Sequence, residues 1–263
     1  MFTHIIKNPC AEVEVVPVLS DNFSYILVEP YTKQALCVDP AEPEKVLVAA
    51  GKMGVALSAV FCTHKHYDHS GGNVAIKRLV PDIKVYGSSY ESVPGVTDAL
   101  IDEEVVNFGG LEIKCIKAAC HTIGHMLYYV TDPKKPEAQP ILFTGDTVFI
   151  GGCGRFFEGS ASMMLDIVRK VKGLRKDTLL YCGHEYTVKN LEFAKTVDKG
   201  EAVAKKLDWA REVAKVGVPT VPSLLEEELC YNPFLRPDAL MEAVGEKTEE
   251  ATLATLRKKK DHF

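Results

Sequence analysis

Thr63-His64-Lys65-His66-Tyr67-Asp68-His69 directly follows the apolar run that ends at Cys62. Four side chains with N or O donors (His64, His66, Asp68 and His69) fall within six positions. Donors of this kind suit zinc, iron or manganese. A continuous helix would turn His66 about 200° around the axis from His64, so one helix cannot converge all four. A loop at the carboxyl end of a strand, running into a helix at Gly72–Asn73, can do so. Layered α/β proteins commonly place functional groups in such loops.

Further candidate ligands stand at the ends of other apolar runs. His121 follows Ile113–Ala119, Asp146 follows Ile141-Leu142-Phe143-Thr144-Gly145, and His184 follows Leu179-Leu180-Tyr181-Cys182-Gly183. Each is weak alone; together they fit several strands delivering one ligand each to a shared site. Seven candidates exceed the three or four protein ligands that one tetrahedral zinc takes, so the count points to two metals. Asp146 lies away from the histidine cluster and is the natural bridge. Two ions about 3.5 Å apart can share a water and present hydroxide as a nucleophile near neutral pH.

The surrounding chain reads as a mixed α/β sandwich. Candidate strands are Val13–Val18, Ser24–Val28, Ala35–Val38, Ala59–Cys62, Lys84–Tyr86, Glu112–Ala118, Leu127–Val130, Ile141–Phe143 and Leu179–Tyr181. Helical patterns cover Glu42–Lys52, Asn73–Val80 and Ala161–Gly173. After His184 the texture becomes mostly helical: Val188–Val197, Glu201–Lys215, Ser223–Cys230 and Leu240–Lys259. A boundary near residue 185 divides 1–184 from 185–263.

Composition narrows the class. With 31 Lys plus Arg against 36 Asp plus Glu, the 263-residue chain carries a formal charge of −5. That mildly acidic balance argues against a dedicated nucleic-acid or anionic-membrane binder. There is no run of eighteen apolar residues to span a membrane. Met1–Cys10 shows neither an apolar leader core nor an arginine, which leads to the expectation of a cytoplasmic protein. None of the eight cysteines forms a C-x-x-C pair, and several sit in apolar runs, so they read as reduced and structural.

The motif T-H-K-H-Y-D-H, with His121, G-D-T around Asp146 and G-H-E-Y at His184, is similar to the metallo-β-lactamase superfamily. Within it the chain resembles glyoxalase II, the hydroxyacylglutathione hydrolases. That narrower likeness is carried by Val38-Asp39-Pro40, Gly152–Gly159, Tyr231–Phe234 and Arg257–Asp261. It implies an αββα sandwich with a small C-terminal helical domain for substrate binding. The activity implied is hydrolysis of S-D-lactoylglutathione, as in methylglyoxal detoxification. It gives His64, His66 and His121 to one metal, and Asp68, His69 and His184 to the other. Asp146 and a hydroxide bridge the two, which makes Asp68 and Asp146 the catalytic carboxylates. The cofactors are two divalent ions, zinc first, with iron or manganese also accommodated.

The likeness also implies a glutathione site at Arg155, Tyr186, Arg257 and Lys260. Arg257 and Lys260, spaced i, i+3 on a helix, share a face and could clasp one carboxylate. Phe157 departs from the family, many of whose members have a tyrosine there. The expected partner is thus a small glutathione thioester, with no nucleic acid, no membrane and a monomeric state. His125 reads as structural, Asp39 as an orienter of a ligand histidine or a turn residue, and Trp209 and Phe156 as core or junction packing. A mononuclear-iron persulfide dioxygenase of the same superfamily is the chief rival; the helical tail and the Arg257/Lys260 pair speak against it. A metallo-nuclease would show a basic channel. A metal-bearing binding module would leave the full ligand set without a purpose.

Overall fold

Short apolar runs punctuated by glycine and proline build two mixed sheets, and amphipathic helices cover their outer faces. The computed structural model describes residues 4–263, so the first three residues of the stretch read for a leader lie outside it. The first half runs β1 (His4–Lys7), β2 (Glu12–Val18), β3 (Asn22–Val28), β4 (Ala35–Val38), α1 (Pro43–Met53), β5 (Leu57–Phe61), α2 (Tyr67–Ser70), α3 (Asn73–Leu79), β6 (Lys84–Ser88), β7 (Asp98–Leu100), β8 (Val105–Phe108) and β9 (Leu111–Lys117). It continues with β10 (Met126–Thr131), β11 (Ile141–Gly145), β12 (Val148–Phe149), β13 (Gly152–Cys153), α4 (Ala161–Lys172) and β14 (Leu179–Cys182). The tail holds α5 (Thr187–Val197), α6 (Glu201–Lys215), β15 (Ser223–Leu224), α7 (Leu225–Tyr231), α8 (Pro237–Val244) and α9 (Glu249–Asp261).

Strands β1 to β7 pair in sequence order in one sheet, and the second sheet has the order β15-β14-β11-β10-β9-β8. In the second sheet β11 and β14 are parallel, while β10 is antiparallel to both β9 and β11. Strands β9, β11 and β14 therefore end at one edge. In the first sheet β4 and β5 are parallel and β3 runs against β4, so β3 begins where β4 and β5 end. Every candidate ligand follows one of these strand ends. The two edges are joined by backbone bonds: Met126 N–H donates to the Thr63 carbonyl at 2.8 Å, and Phe23 N–H to the Gly183 carbonyl at 2.8 Å.

Between the sheets, Tyr25 of β3 meets Phe143 of β11 and Tyr181 of β14, with ring centroids 5.3 Å away in both cases. On the outer face of the first sheet, Val46, Ala49 and Ala50 of α1 and Ile76 of α3 bury against Ile26, Cys37 and Val60. On the outer face of the second, α4 buries Met164, Leu165, Ile167, Val168 and Val171, an apolar stripe at helical spacing. Ser160 caps this helix by accepting from the Met163 amide. The same apolar cluster takes in Leu225, Phe234, Leu253 and Leu256 of the tail. Although the texture changes near residue 185, the core is continuous across that point.

Several expectations are revised. The helix expected over Leu240–Lys259 is two helices: Gly245, at φ 77°, ends α8 and Thr248 caps α9 by accepting from the Ala251 amide. Ser223–Leu224, expected to begin a helix, pairs with Leu180 and Leu179 before α7 starts. Strands β1, β7, β8, β12 and β13 are not among the expected strands; in β8 only Phe108 is buried, so its pattern is weak. Trp209 is not a core residue. Helix α6 buries Val203, Leu207 and Ala210, and the Trp209 ring lies off that stripe under the Lys206 ammonium. Phe156 does pack against the second outer core. All eight cysteines are free, and all but Cys230 are buried.

Phe143 is 1% exposed at the centre of the inter-sheet aromatic cluster. Phe143→Ala should lower unfolding free energy by about 3–5 kcal/mol, read as a shifted urea midpoint. A loss below about 1 kcal/mol would show that the sheets do not depend on this contact.

Candidate metal centre

The first sheet supplies the densest part of the site. After β5 the chain turns through Thr63–His66, and His66 takes the N-cap position of the one-turn helix α2, which carries Asp68 and His69. The second sheet supplies His121, Asp146 and His184 from the ends of β9, β11 and β14. His66 Nδ1 lies 3.0 Å from both His64 Nε2 and His121 Nε2. His184 Nε2 lies 3.3 Å from both His69 Nε2 and Asp68 Oδ2. Asp146 stands between the two groups: Oδ2 is 3.4 Å from His121 Nε2 and 3.4 Å from His184 Nε2, while Oδ1 is 3.3 Å from His69 Nε2.

Outward hydrogen bonds decide what these nitrogens can do. His69 Nδ1 faces Asp39 Oδ2 at 2.9 Å, and His184 Nδ1 faces Asp21 Oδ1 at 2.8 Å. His121 Nδ1 donates to the Arg155 carbonyl at 3.0 Å. His64 Nδ1 lies 3.0 Å from Thr63 Oγ1, which itself donates to Asp39 Oδ2 at 2.6 Å. Burial keeps His64 and His121 neutral, so with their outer nitrogens protonated they aim lone pairs inward, and His69 and His184 would do the same once relieved of their second protons. That is the arrangement of metal-ligating histidines oriented by carboxylates and carbonyls. Asp146 Oδ1 is buried and has no hydrogen-bond partner. Cations at the centre satisfy both the lone pairs and this orphaned oxygen, so the residues present fit two metal ions.

Electrostatics agrees. Burial drives His64 well below the ordinary imidazole range, with the neighbouring His69 and His125 adding to the effect. Burial also lowers His121. Burial opposes the charge on His184, but hydrogen bonds to Asp146 and Asp68 outweigh it and raise this imidazole to about 10. Asp68 is held low, first by its hydrogen bond to His184. Burial would raise Asp146, but the neighbouring His69 and the bond to His184 hold it well below the carboxylate range. Without cations, protons on His69 and His184 offset the carboxylates.

Close packing requires glycine at two points. A Cβ on Gly183 would strike Asp146 Oδ1 and the His69 ring, and one on Gly154 would strike the Asp146 carbonyl. His125, expected to be structural, accepts from the Asp146 amide at 3.1 Å and stacks on His64 with centroids 4.8 Å apart. Asp39, which the sequence left between two roles, orients both Thr63 and His69. Sequence reading missed the roles of Asp21 and Asn22; Asn22 Nδ2 donates to Asp68 Oδ2 at 2.9 Å. Their place at the turn into β3, in Asp21-Asn22-Phe23, was the available signal.

The centre forms the floor of a cleft of about 590 Å³. All four expected carrier residues border it, but in different states. Arg155 is open, its side chain 61% exposed, with Nε 3.6 Å from Asp261 Oδ1. Tyr186 stacks on the His184 ring at 4.7 Å. Arg257, only 7% exposed, is committed to protein: Nη1 donates to the Cys153 carbonyl at 3.0 Å and Nε to Asp261 Oδ1 at 3.0 Å. Lys260 donates to the Lys189 carbonyl at 3.1 Å; burial, with Arg257 nearby, lowers its ammonium to about 8. Lys189, unnoticed in the sequence, also lines the cleft.

A mixed-sheet sandwich with a His/Asp cluster at its strand ends defines a protein of the metallo-β-lactamase class. The family model for the metallo-beta-lactamase superfamily matches residues 22–184, and that for the hydroxyacylglutathione hydrolase C-terminus matches residues 185–263. The cytoplasmic hydroxyacylglutathione hydrolase of Arabidopsis thaliana is 46% identical over 253 residues, 94% of this chain and 97% of the relative. A hydroxyacylglutathione hydrolase-like protein of Gallus gallus is 43% identical over 256 residues, 96% of this chain and 90% of the relative. Among solved structures, ETHE1 from Myxococcus xanthus shares the fold, with a TM-score of 0.65 at 21% identity, covering 98% of this chain and 90% of that one. The chain belongs to the hydroxyacylglutathione hydrolase family. It is a thioester hydrolase with a binuclear metal site.

Metal loading should release protons. Near pH 7 His184, raised to about 10, is protonated in the metal-free protein, and His69 is raised likewise. Binding must displace such protons, so uptake should release protons and tighten as pH rises from 6 to 8. Calorimetry in buffers of different ionisation enthalpy measures this; uptake with no proton release would contradict the arrangement.

Proposed function

We propose that this chain hydrolyses 2-hydroxyacyl glutathione thioesters, with S-D-lactoylglutathione as its principal substrate, to the hydroxy acid and glutathione. One observation carries the reading: seven donor side chains from both sheets converge beneath a cleft rimmed by cations. His64, His66 and His121 would hold one ion, and Asp68, His69 and His184 the other, with Asp146 reaching both. Two divalent ions bound there would supply hydroxide at neutral pH and polarise the thioester carbonyl. Zinc, iron and manganese all suit these donors.

The chain's own residues do the rest. Asp68 and Asp146, both held ionised, are the catalytic carboxylates. Asn22 and the Asp146 bond to His125 keep them aimed. Hydrolysis forms a C–O bond and breaks C–S, and the electron pair leaves on sulfur. A parent thiol with a pKa near about 8.5 makes that a good leaving group, so no strong general acid is needed. Arg155, Lys260 and the Tyr186 hydroxyl hold the glycine carboxylate of the carrier. Arg257 supports them from below, tied to Cys153 and Asp261. Phe157, 60% exposed and 5.1 Å from the His121 ring, walls the cleft where a tyrosine hydroxyl would otherwise add a bond. Residues 185–263 act as the substrate-binding domain of a cytoplasmic monomer. The address is supported by the name of the Arabidopsis relative. Among the described residues no helix is long and apolar enough to cross a membrane.

The test is loss of S-D-lactoylglutathione by the metal-analysed protein. Asp146→Ala and His66→Ala should each lose most turnover together with bound metal, whereas Arg155→Ala should raise KM and largely keep kcat. A fully loaded Asp146→Ala protein with a near-normal rate would refute the assignment. Absence of hydrolysis at two bound ions, with oxygen uptake on glutathione persulfide, would favour the dioxygenase.

Lys260 gives the reaction a pH signature. Its ammonium is charged below about 8 and neutral above, so carrier affinity should fall as pH rises through that value. KM should climb on the alkaline side, and Lys260→Ala should flatten the climb. An identical KM profile in the variant would remove Lys260 from the carrier site.

A further inference from the structure

The helical tail grips the segment Phe149–Arg155, which leads from β12 through β13 to the loop before α4. Glu228 of α7 is fully buried, and its Oε2 accepts from the Gly151 amide at 2.9 Å and from Asn232 Nδ2 at 3.0 Å. Its Oε1 accepts from the Tyr231 hydroxyl at 2.6 Å. Asn232 Nδ2, also buried, donates to the carbonyls of Phe149 at 3.1 Å and Gly152 at 3.0 Å. The segment then passes Gly154, where a Cβ would sit 2.9 Å from His121 Nδ1, and ends at Arg155, whose carbonyl accepts from that nitrogen at 3.0 Å.

A carboxylate buried this deeply costs more than an apolar side chain of similar volume. Its bonds fix a stretch of backbone that touches a candidate ligand at its far end. We propose that Glu228 and Asn232 are positioning residues for the metal centre. By fixing Phe149–Arg155 they set where the Arg155 carbonyl meets His121, so the tail governs the ion held by His64, His66 and His121. This rests on the ligand reading given under the proposed function. The histidines of the other ion take their outward partners from Asp39 and Asp21, on loops of the first sheet; Gly154 also packs on the Asp146 carbonyl, but that contact is to backbone and leaves His69 and His184 untouched. Phe149 does reach His184, but edge-on through its ring at 5.9 Å and not at a bonding atom.

The test uses the full chain loaded with cobalt(II), following visible absorption and release of each ion to a chelator. In Glu228→Ala and Asn232→Ala one ion should leave about 10- to 100-fold faster, with a changed absorption band, while the other keeps its wild-type rate. Glu228→Gln should restore the wild-type pattern. Its amide can turn its NH₂ toward the Tyr231 oxygen and keep its own oxygen for Gly151 and Asn232. Should Glu228→Ala not fold, the milder Asn232→Ser carries the same expectation. Wild-type release and absorption in the cut variants, with only a lower Tm, would overturn the proposal. So would equal acceleration of both ions. A wild-type protein that takes up fewer than two ions would overturn the ligand reading itself, and this proposal with it.

Discussion

Imidazoles that each spend an outer nitrogen on a fixed partner turn their second nitrogens toward one common point, and the rest of this molecule is organised around that convergence. His64, His69, His121 and His184 all have their outer nitrogen engaged, by Thr63, Asp39, the Arg155 carbonyl and Asp21 respectively. Asp146 adds an oxygen with no partner of its own. Such a cluster persists only if its centre is positive and its surroundings are stiff. Protons can meet the first condition and divalent ions meet it better, because each ion answers several lone pairs at once.

Stiffness comes from the placement of the cluster at the joined edges of two sheets. The Tyr25–Phe143–Tyr181 contact holds the sheets face to face, and the Tyr25 hydroxyl donates to the Cys182 carbonyl just before His184. Core packing and ligand placement are thus enforced by the same side chains. The tail does not sit apart from this frame, since its helices complete the apolar cluster under α4 and its polar side chains hold the β12–β13 segment. The cationic rim of the cleft and the histidine cluster at its floor consequently share one scaffold.

Much of this was legible in the sequence because the signals were local. Apolar runs marked β9, β11 and β14, with a candidate ligand directly after the run at Asp146 and His184 and a few residues beyond it at His121. The histidine loop declared itself by density. Partners distant in sequence were not legible: nothing near Asp21 says that it will meet His184, 163 positions away. Glu228 sits in Leu225-Glu226-Glu227-Glu228 like a solvated helix charge, yet it is buried against Gly151. Arg257 and Lys260 share a helical face as their spacing requires, but periodicity cannot tell that Asp261 and the Cys153 carbonyl occupy the guanidinium. The merged helix at Leu240–Lys259 failed for a simpler reason. A glycine inside an apolar pattern can be tolerated or can turn left-handed, and Gly245 turns.

The groups that build the centre span the chain from Asp21 to His184, and the segment that steadies His121 is itself clasped from position 228 onward. A nascent chain emerging from the ribosome therefore carries the His64–His69 loop long before it owns a complete pair of sites. Until β14 and the tail pack, that loop lacks the partners that close the cluster, so the geometry of the centre is a property of the finished molecule alone.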